Sequence, residues 1–362
     1  MLKIEMLPAR HGDCLWIEYG TGKKIYRMLI DAGPASTYPH VKERILALPE
    51  SKRRFELFVI THIDADHIEG AVRLLQDKKL KVSYGDVWFN GWRHLRRVNP
   101  PILGGPLGEY LTSTIAEEKL PWNNAFKGES IVVPDTGKLP EYKLPGGMKL
   151  TLLSPTWTEL EKLRPKWNKE VLAAGLVPGH PRQAQKKRQD IKRLQPTLGT
   201  PSLNITKLAG VISKSDSAVA NGSSIAFLAE YDQYRCLFGA DAFPNVLVAS
   251  LRRLLKKPVD TIKLDVFKLP HHGSRANVST ELIDLVRCPR YMFSSNGDIF
   301  EHPDREAVAR VIVHAKPSPL LCFNYKTDFN KMWDGGSVTK PTYKVEYPKK
   351  GQEGLLVEVA SR

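Results

Sequence analysis

The sequence predicts a layered α/β protein. Three strand-like runs open the chain, strands and helices alternate after them, and the chemically loaded motifs fall at or just after predicted strand ends.

Lys3–Leu7, Cys14–Tyr19 and Tyr26–Asp31 read as the opening strands, with Gly20-Thr21-Gly22 as the hairpin turn between the last two. Asp31-Ala32-Gly33-Pro34 then breaks the sheet. A helix is expected at about Pro39–Leu48, a strand at Leu57–Thr61, and a helix from Asp66 to about Gln76 with Ala71, Leu74 and Leu75 apolar. Residues 90–147, rich in Gly, Pro and Trp, read as long loops and short helices over one face. Lys149–Pro155 reads as a strand, and Thr156-Trp157-Thr158-Glu159 as the capping box of a basic helical insertion. Ser223–Glu230 and Cys236–Gly239 form an expected hairpin across Tyr231–Tyr234. Helices follow at Pro244–Leu255, Thr280–Val286 and Arg305–His314, and strands at Asp265–Leu269, Tyr291–Ser294, Leu320–Asn324 and Leu355–Val359. No internal repeat is visible. Residues 1–362 read as one domain carrying the loop-rich segment 90–147 and the basic insertion 156–214.

No apolar run approaches the ~20 residues that span a bilayer. The N-terminus lacks the regions of a signal peptide. The four cysteines, Cys14, Cys236, Cys288 and Cys322, form no CxxC pair and read as reduced, buried thiols. These features predict a cytoplasmic protein without a membrane partner. The net charge of +15 implies a polyanionic partner such as nucleic acid. Residues 156–214 carry 12 Lys/Arg against 4 Asp/Glu, so more than half the excess charge is concentrated there. Lys186, Lys187, Arg188, Lys192 and Arg193 are its candidate nucleic-acid contacts; the plainer reading is a solvated helix face.

The most informative run is Thr61-His62-Ile63-Asp64-Ala65-Asp66-His67. It places two histidines and two aspartates within six residues, directly after an apolar strand. Carboxylates and imidazoles crowded at a strand end repel or desolvate one another unless a cation neutralises them. Four further stretches fit one constellation with it: Leu29–Gly33, Phe238–Ala242, Leu269–Ser274 and Phe300–Pro303.

In these residues the chain resembles the metallo-β-lactamase superfamily, whose signature is a His-x-His-x-Asp-His run after a strand. Here the run reads His-x-Asp-x-Asp-His, with Asp64 in place of the second histidine. Together with Gly12-Asp13-Cys14-Leu15, Asn221-Gly222-Ser223-Ser224-Ile225, Gly239-Ala240-Asp241, Pro270-His271-His272-Gly273-Ser274 and His302-Pro303, it resembles one branch: the β-lactamase-like nuclease domain of the ComEC-type competence channel and its stand-alone soluble relatives. The resemblance covers residues 1–90 and 220–305. It implies a four-layer αββα sandwich. It implies that His62 and Asp64 bind one metal and Asp66 and His67 a second, with Asp241 bridging and His272 completing the second position. His271 then stands behind the ligands or touches substrate. Asp31 matches the supporting carboxylate of the family, and Asp13 and Ser223 are placed in the same supporting shell. The third histidine that better-known members place before the bridging aspartate is missing; Ser223-Ser224 stands there, so the first position is short of ligands.

Replacing imidazole by carboxylate hardens a site, which favours Mn²⁺, with Zn²⁺ and Mg²⁺ as alternatives, in one or two ions. The expected activity is phosphodiester hydrolysis by a metal-activated water, on DNA before RNA. Asp64 and Asp66 serve the water, and His302 or His271 the leaving group or the phosphate. Two other readings stand beside it: a hydrolase of a small molecule such as a cyclic nucleotide or lactone, and a nucleic-acid-binding or regulatory module with a partial metal site. The resemblance to stand-alone relatives also implies protein partners in a multi-gene antiviral defence system.

Overall fold

Alternation sets the first sheet. In β1 (Leu2–Met6), Leu2, Ile4 and Met6 are buried, while Lys3 and Glu5 point the other way toward Glu358 and Arg44. β2 (Leu15–Thr21), β3 (Lys24–Ile30), β4 (Leu57–Val59) and β5 (Val87–Trp88) extend this sheet. The computed structural model describes residues 1–22, 24–95, 106–173, 204–337 and 341–359. The basic residues Lys186, Lys187, Arg188, Lys192 and Arg193 lie outside the described residues.

The second sheet comprises β6 (Glu141–Lys143), β7 (Lys149–Ser154), β8 (Ala226–Tyr231), β9 (Tyr234–Phe238), β10 (Val266–Lys268), β11 (Arg290–Phe293), β12 (Leu320–Phe323) and β13 (Lys344–Glu346). β14 (Leu355–Glu358) returns to pair with β1. The strand orders are β14-β1-β2-β3-β4-β5 and β13-β12-β11-β10-β9-β8-β7-β6. Each sheet is antiparallel at one end and parallel at the other; β3-β4-β5 and β9 through β13 run parallel.

The sheets face each other across one apolar core, with Ile4, Ile17, Met28 and Leu57 from the first against Leu150, Leu152, Phe227 and Phe238 from the second. Outside the first sheet pack α1 (Tyr38–Leu46), α2 (Ala65–Gln76), α3 (Pro106–Glu117) and α4 (Trp157–Ala173), through a second cluster that includes Trp16, Phe58, Ile68, Leu111 and Leu160. Two shorter helices follow, α5 (Ile205–Ala209) and α6 (Val219–Gly222). Outside the second sheet lie α7 (Pro244–Arg252), α8 (Thr280–Asp284) and α9 (Arg305–His314), through Leu247, Leu282 and Val308. The fold is thus an αββα sandwich. Among the described residues no helix is long and apolar enough to cross a membrane, and the four cysteines are buried free thiols.

Three departures from expectation have a visible cause. The strand expected from Ser223 starts at Ala226, because Ser223 and Ser224 N–H close the α6 turn onto Ala220 and Asn221. The helix expected to Val286 stops at Asp284, because Val286 pairs as a strand with Ile262. The segment expected as long loops and short helices contains a helix of 12 residues, α3, whose Leu111 and Ile115 are buried in the cluster that also holds Ile68 and Leu74 of α2. Gly108 hides that helix in the sequence, yet a Cβ there would meet the Trp167 ring at 2.2 Å.

Candidate metal centre

Parallel strands deliver the site. The carboxyl ends of β3, β4, β9, β10 and β11 gather at one edge, and there they carry Asp31, Thr61–His67, Asp241, His271-His272 and Ser294. Ligands in parallel sheets bind at such edges. Asp64 is the N-cap of α2, and its carbonyl accepts from His67 and Ile68 N–H at 3.0 and 3.1 Å. Its carboxylate makes no capping hydrogen bond. It lies 3.6 Å from His62 Nε2 instead.

Hydrogen bonds set the histidine tautomers. Asp31 accepts from Thr61 N–H at 2.8 Å, from Thr61 Oγ1–H at 2.7 Å and from His67 Nδ1 at 2.8 Å. A carboxylate only accepts, so His67 Nδ1 carries the proton. Thr61 has spent its hydrogen on Asp31, so its Oγ1 accepts from His62 Nδ1 at 3.0 Å. His272 Nδ1 donates to the Ser294 carbonyl at 2.9 Å. In the neutral ring, each of these three histidines presents a lone pair at Nε2.

Those lone pairs meet at Asp241. Its Oδ2 lies 3.9 Å from His62 Nε2, 3.5 Å from His67 Nε2 and 3.8 Å from His272 Nε2. Asp66 Oδ2 lies 3.8 Å from His67 Nε2 and 3.5 Å from His272 Nε2. The three Nε2 atoms and Asp241 Oδ1 are buried without a hydrogen-bond partner. Such orphaned buried atoms are costly and call for a ligand or a proton. Two donors about 2.1 Å from one tetrahedral ion sit about 3.4 Å apart, close to the spacings here. The residues therefore fit a divalent cation, in overlapping groups that include His62, His67 and Asp241, and Asp66, His67 and His272.

Without a cation, protons take up the imbalance. Burial resists charge on His67, yet Asp241, Asp66 and Asp31 outweigh it and hold its pKa well above the usual value. His272 is raised to about 9, burial being outweighed by Asp241 and Asp13. Burial likewise opposes ionisation of Asp66 and Asp241, but the surrounding imidazoles hold both well below the ordinary carboxylate range. A dication displaces such protons when it binds.

The support is built for position. Asp13 and Lys268 form a fully buried ion pair at 2.6 Å, and Asp13 also lies 3.3 Å from His272 Nδ1 and accepts from Ser294 Oγ. Asp31, Ala240, His271 and His272 all adopt positive φ. Left-handed non-glycine residues cost about 1–3 kcal/mol each and cluster where function over-determines the backbone. Gly12 lets the Asp13 loop close on α2, since a Cβ there would lie 1.8 Å from the Asp66 carbonyl oxygen. Gly12→Ala is expected to cost about 1–3 kcal/mol of stability through overpacking and to weaken cation binding by displacing Asp66. Urea unfolding and a Mn²⁺ titration measure the two effects.

The other expected site residues divide. His271 Nε2 lies 3.7 Å from Asp241 Oδ2. His302 is buried, with its ring 5.2 Å from His271 and 6.5 Å from His272. Burial, then the charge of His271 and His272, pushes its pKa down to about 3. Ser223 is buried, but its hydroxyl donates to Ala220 O at 2.6 Å rather than to any of these histidines. Sequence reasoning did not single out Thr61, Lys268, Ser294, Asn277 or Asp216. Thr61 stood in the quoted run but has no metal-binding chemistry; only its place before His62 signals its role. The others reach the site from loops and strand ends whose pairing the sequence does not display.

No protein-family model matches the chain, and no curated protein matches it. Solved structures do. Human tRNase Z, short form, is 9% identical, covers 100% of both chains and has a TM-score of 0.40. A mutant of the CmlA β-hydroxylase is 11% identical over 98% of this chain, with a TM-score of 0.39; this chain spans only 53% of that one. A variant metallo-β-lactamase from Cronobacter sakazakii is 14% identical, with 70% of each chain covered and a TM-score of 0.29.

Proposed function

We propose that this protein is a metal-dependent phosphodiester hydrolase whose substrate is nucleic acid, DNA before RNA. One observation carries the reading: Asp64, Asp66 and Asp241 join tautomer-fixed histidines around one point, in a chain of net charge +15. A carboxylate-rich donor set suits Mn²⁺ or Mg²⁺ more than an all-imidazole one does. His62, Asp64, Asp66, His67, Asp241 and His272 would hold the metal. Once bound, it supplies charge to polarise a phosphate oxygen and to acidify a water.

The chain's own groups do the rest. Asp64 is the open member, with 39% of its side chain exposed, and it stands where water and substrate arrive. It accepts the proton of the attacking water. Asp66, buried and held ionised, stays behind as a fixed negative charge. His302 remains uncharged near neutral pH and offers a ring N–H to a phosphate oxygen. The net positive charge draws the polyanion toward the protein and makes binding salt-dependent.

The test is cleavage of plasmid and oligonucleotide by purified protein with Mn²⁺. Cleavage is expected to be chelator-sensitive, to weaken steeply with salt and to disappear in Asp64→Ala and Asp241→Ala. Unchanged cleavage in both variants overturns the reading.

A further inference from the structure

Adjacent residues in a chain usually project to different sides, yet His271 and His272 aim at the same atom. Both sit in left-handed conformations, with φ of 48° and 54°, and their Nε2 atoms lie 3.7 and 3.8 Å from Asp241 Oδ2. His271 is anchored as the other three histidines are. Its Nδ1 lies 2.9 Å from Asn277 Oδ1 and 3.4 Å from Asp216 Oδ2.

The orientation of Asn277 is decided by its other end. Its Nδ2 donates toward the Asp216 carboxylate at 3.0 Å and the Asp241 and Ala242 carbonyls at 3.2 and 3.4 Å, all of them acceptors. Its Oδ1 therefore faces His271, and His271 Nδ1 must be the donor. Asn221 Nδ2 lies 3.3 Å from the same nitrogen and gives one of its two hydrogens to Asp216 Oδ2 at 2.8 Å. A neutral His271 then turns a lone pair, not a proton, toward Asp241. Two acceptors held face to face call for a cation or a proton between them.

We infer that His271 is itself a metal ligand, filling the place left by the absent third histidine, while Asn277 and Asp216 position its ring. Ser223, which stands where that histidine is missing, turns its hydroxyl to Ala220. The replacement comes from the next strand end instead. The two residues after Pro270 thus serve the two cation positions together, and the tight left-handed turn is what permits it. This inference rests on the metal-centre reading above.

The probe is Mn²⁺ alone, with the full chain. Calorimetric titration and metal quantification are expected to find two ions in the wild type. His271→Ala should keep one and bind the second at least tenfold more weakly. His271→Gln, which keeps a polar side chain, is read in parallel, with circular dichroism to check folding. Anomalous diffraction from Mn²⁺-loaded wild-type crystals needs no variant. It should place an ion within about 2.3 Å of His271 Nε2. An ion held elsewhere, with His271 Nε2 beyond about 3 Å, overturns the inference. So does unchanged Mn²⁺ stoichiometry and affinity in both variants, even if cleavage is lost; His271 is then a proton donor or phosphate contact. A wild type that binds no Mn²⁺ overturns the metal centre as well, which separates the two failures.

Discussion

Asp241→Ala is expected to abolish tight divalent-cation binding, and chain cleavage with it. All four histidines of the centre point Nε2 at Asp241 Oδ2, at 3.5 to 3.9 Å, so this one carboxylate faces every prospective imidazole ligand. Removing a residue that merely supports a ligand costs roughly 10–100-fold in metal affinity. Loss of the shared ligand should exceed that. Stability shows it without an activity assay. A cation at 100 times its dissociation constant stabilises the wild type by about 2.7 kcal/mol, visible as a rise in melting temperature on adding Mn²⁺. The variant should melt at the same temperature with and without Mn²⁺. A wild-type-sized rise in the variant would show that Asp241 is not the hub.

Much of this centre was legible in the chain because its donors lie in short runs after strands. His62, Asp64, Asp66 and His67 share one β4–α2 junction, and Asp241 and His272 each follow a parallel strand. Strand periodicity located the ends, and side-chain chemistry named the donors. What the sequence concealed are the groups that orient those donors. Thr61 Oγ1 fixes His62 only because Asp31, from a neighbouring strand, takes its hydrogen. Asp216 meets His271 at a sequence separation of 55, and Lys268 meets Asp13 at one of 255. No local pattern encodes such pairings; they exist once the two sheets close. The same limit applies to α3, where Gly108 weakens the helix signal locally and serves a ring contact made by tertiary packing.

Lys268→Met is expected to destabilise the protein by about 3–5 kcal/mol, the cost of breaking a buried ion pair from one side. The Lys268 side chain is wholly inaccessible to solvent, and Nζ donates to Asp13 Oδ2 at 2.6 Å and to the Leu269 carbonyl at 3.1 Å. Burial opposes ionisation of Asp13, but Lys268, followed by His272, keeps its pKa well below the usual carboxylate value. Without Lys268 the Asp13 carboxylate stays buried with Ser294, His272 and His67 left to offset it. Lys268→Met combined with Asp13→Asn removes both charges and should recover most of the lost stability, since an absent pair carries no desolvation penalty. Cation binding should not recover. Asp13 supports His272, so the double variant should still bind Mn²⁺ roughly 10–100-fold more weakly than the wild type. Urea unfolding reads the first effect and a Mn²⁺ titration the second. If stability and affinity return together in the double variant, the pair is only a core element; if stability returns alone, it is there to aim His272 at the metal.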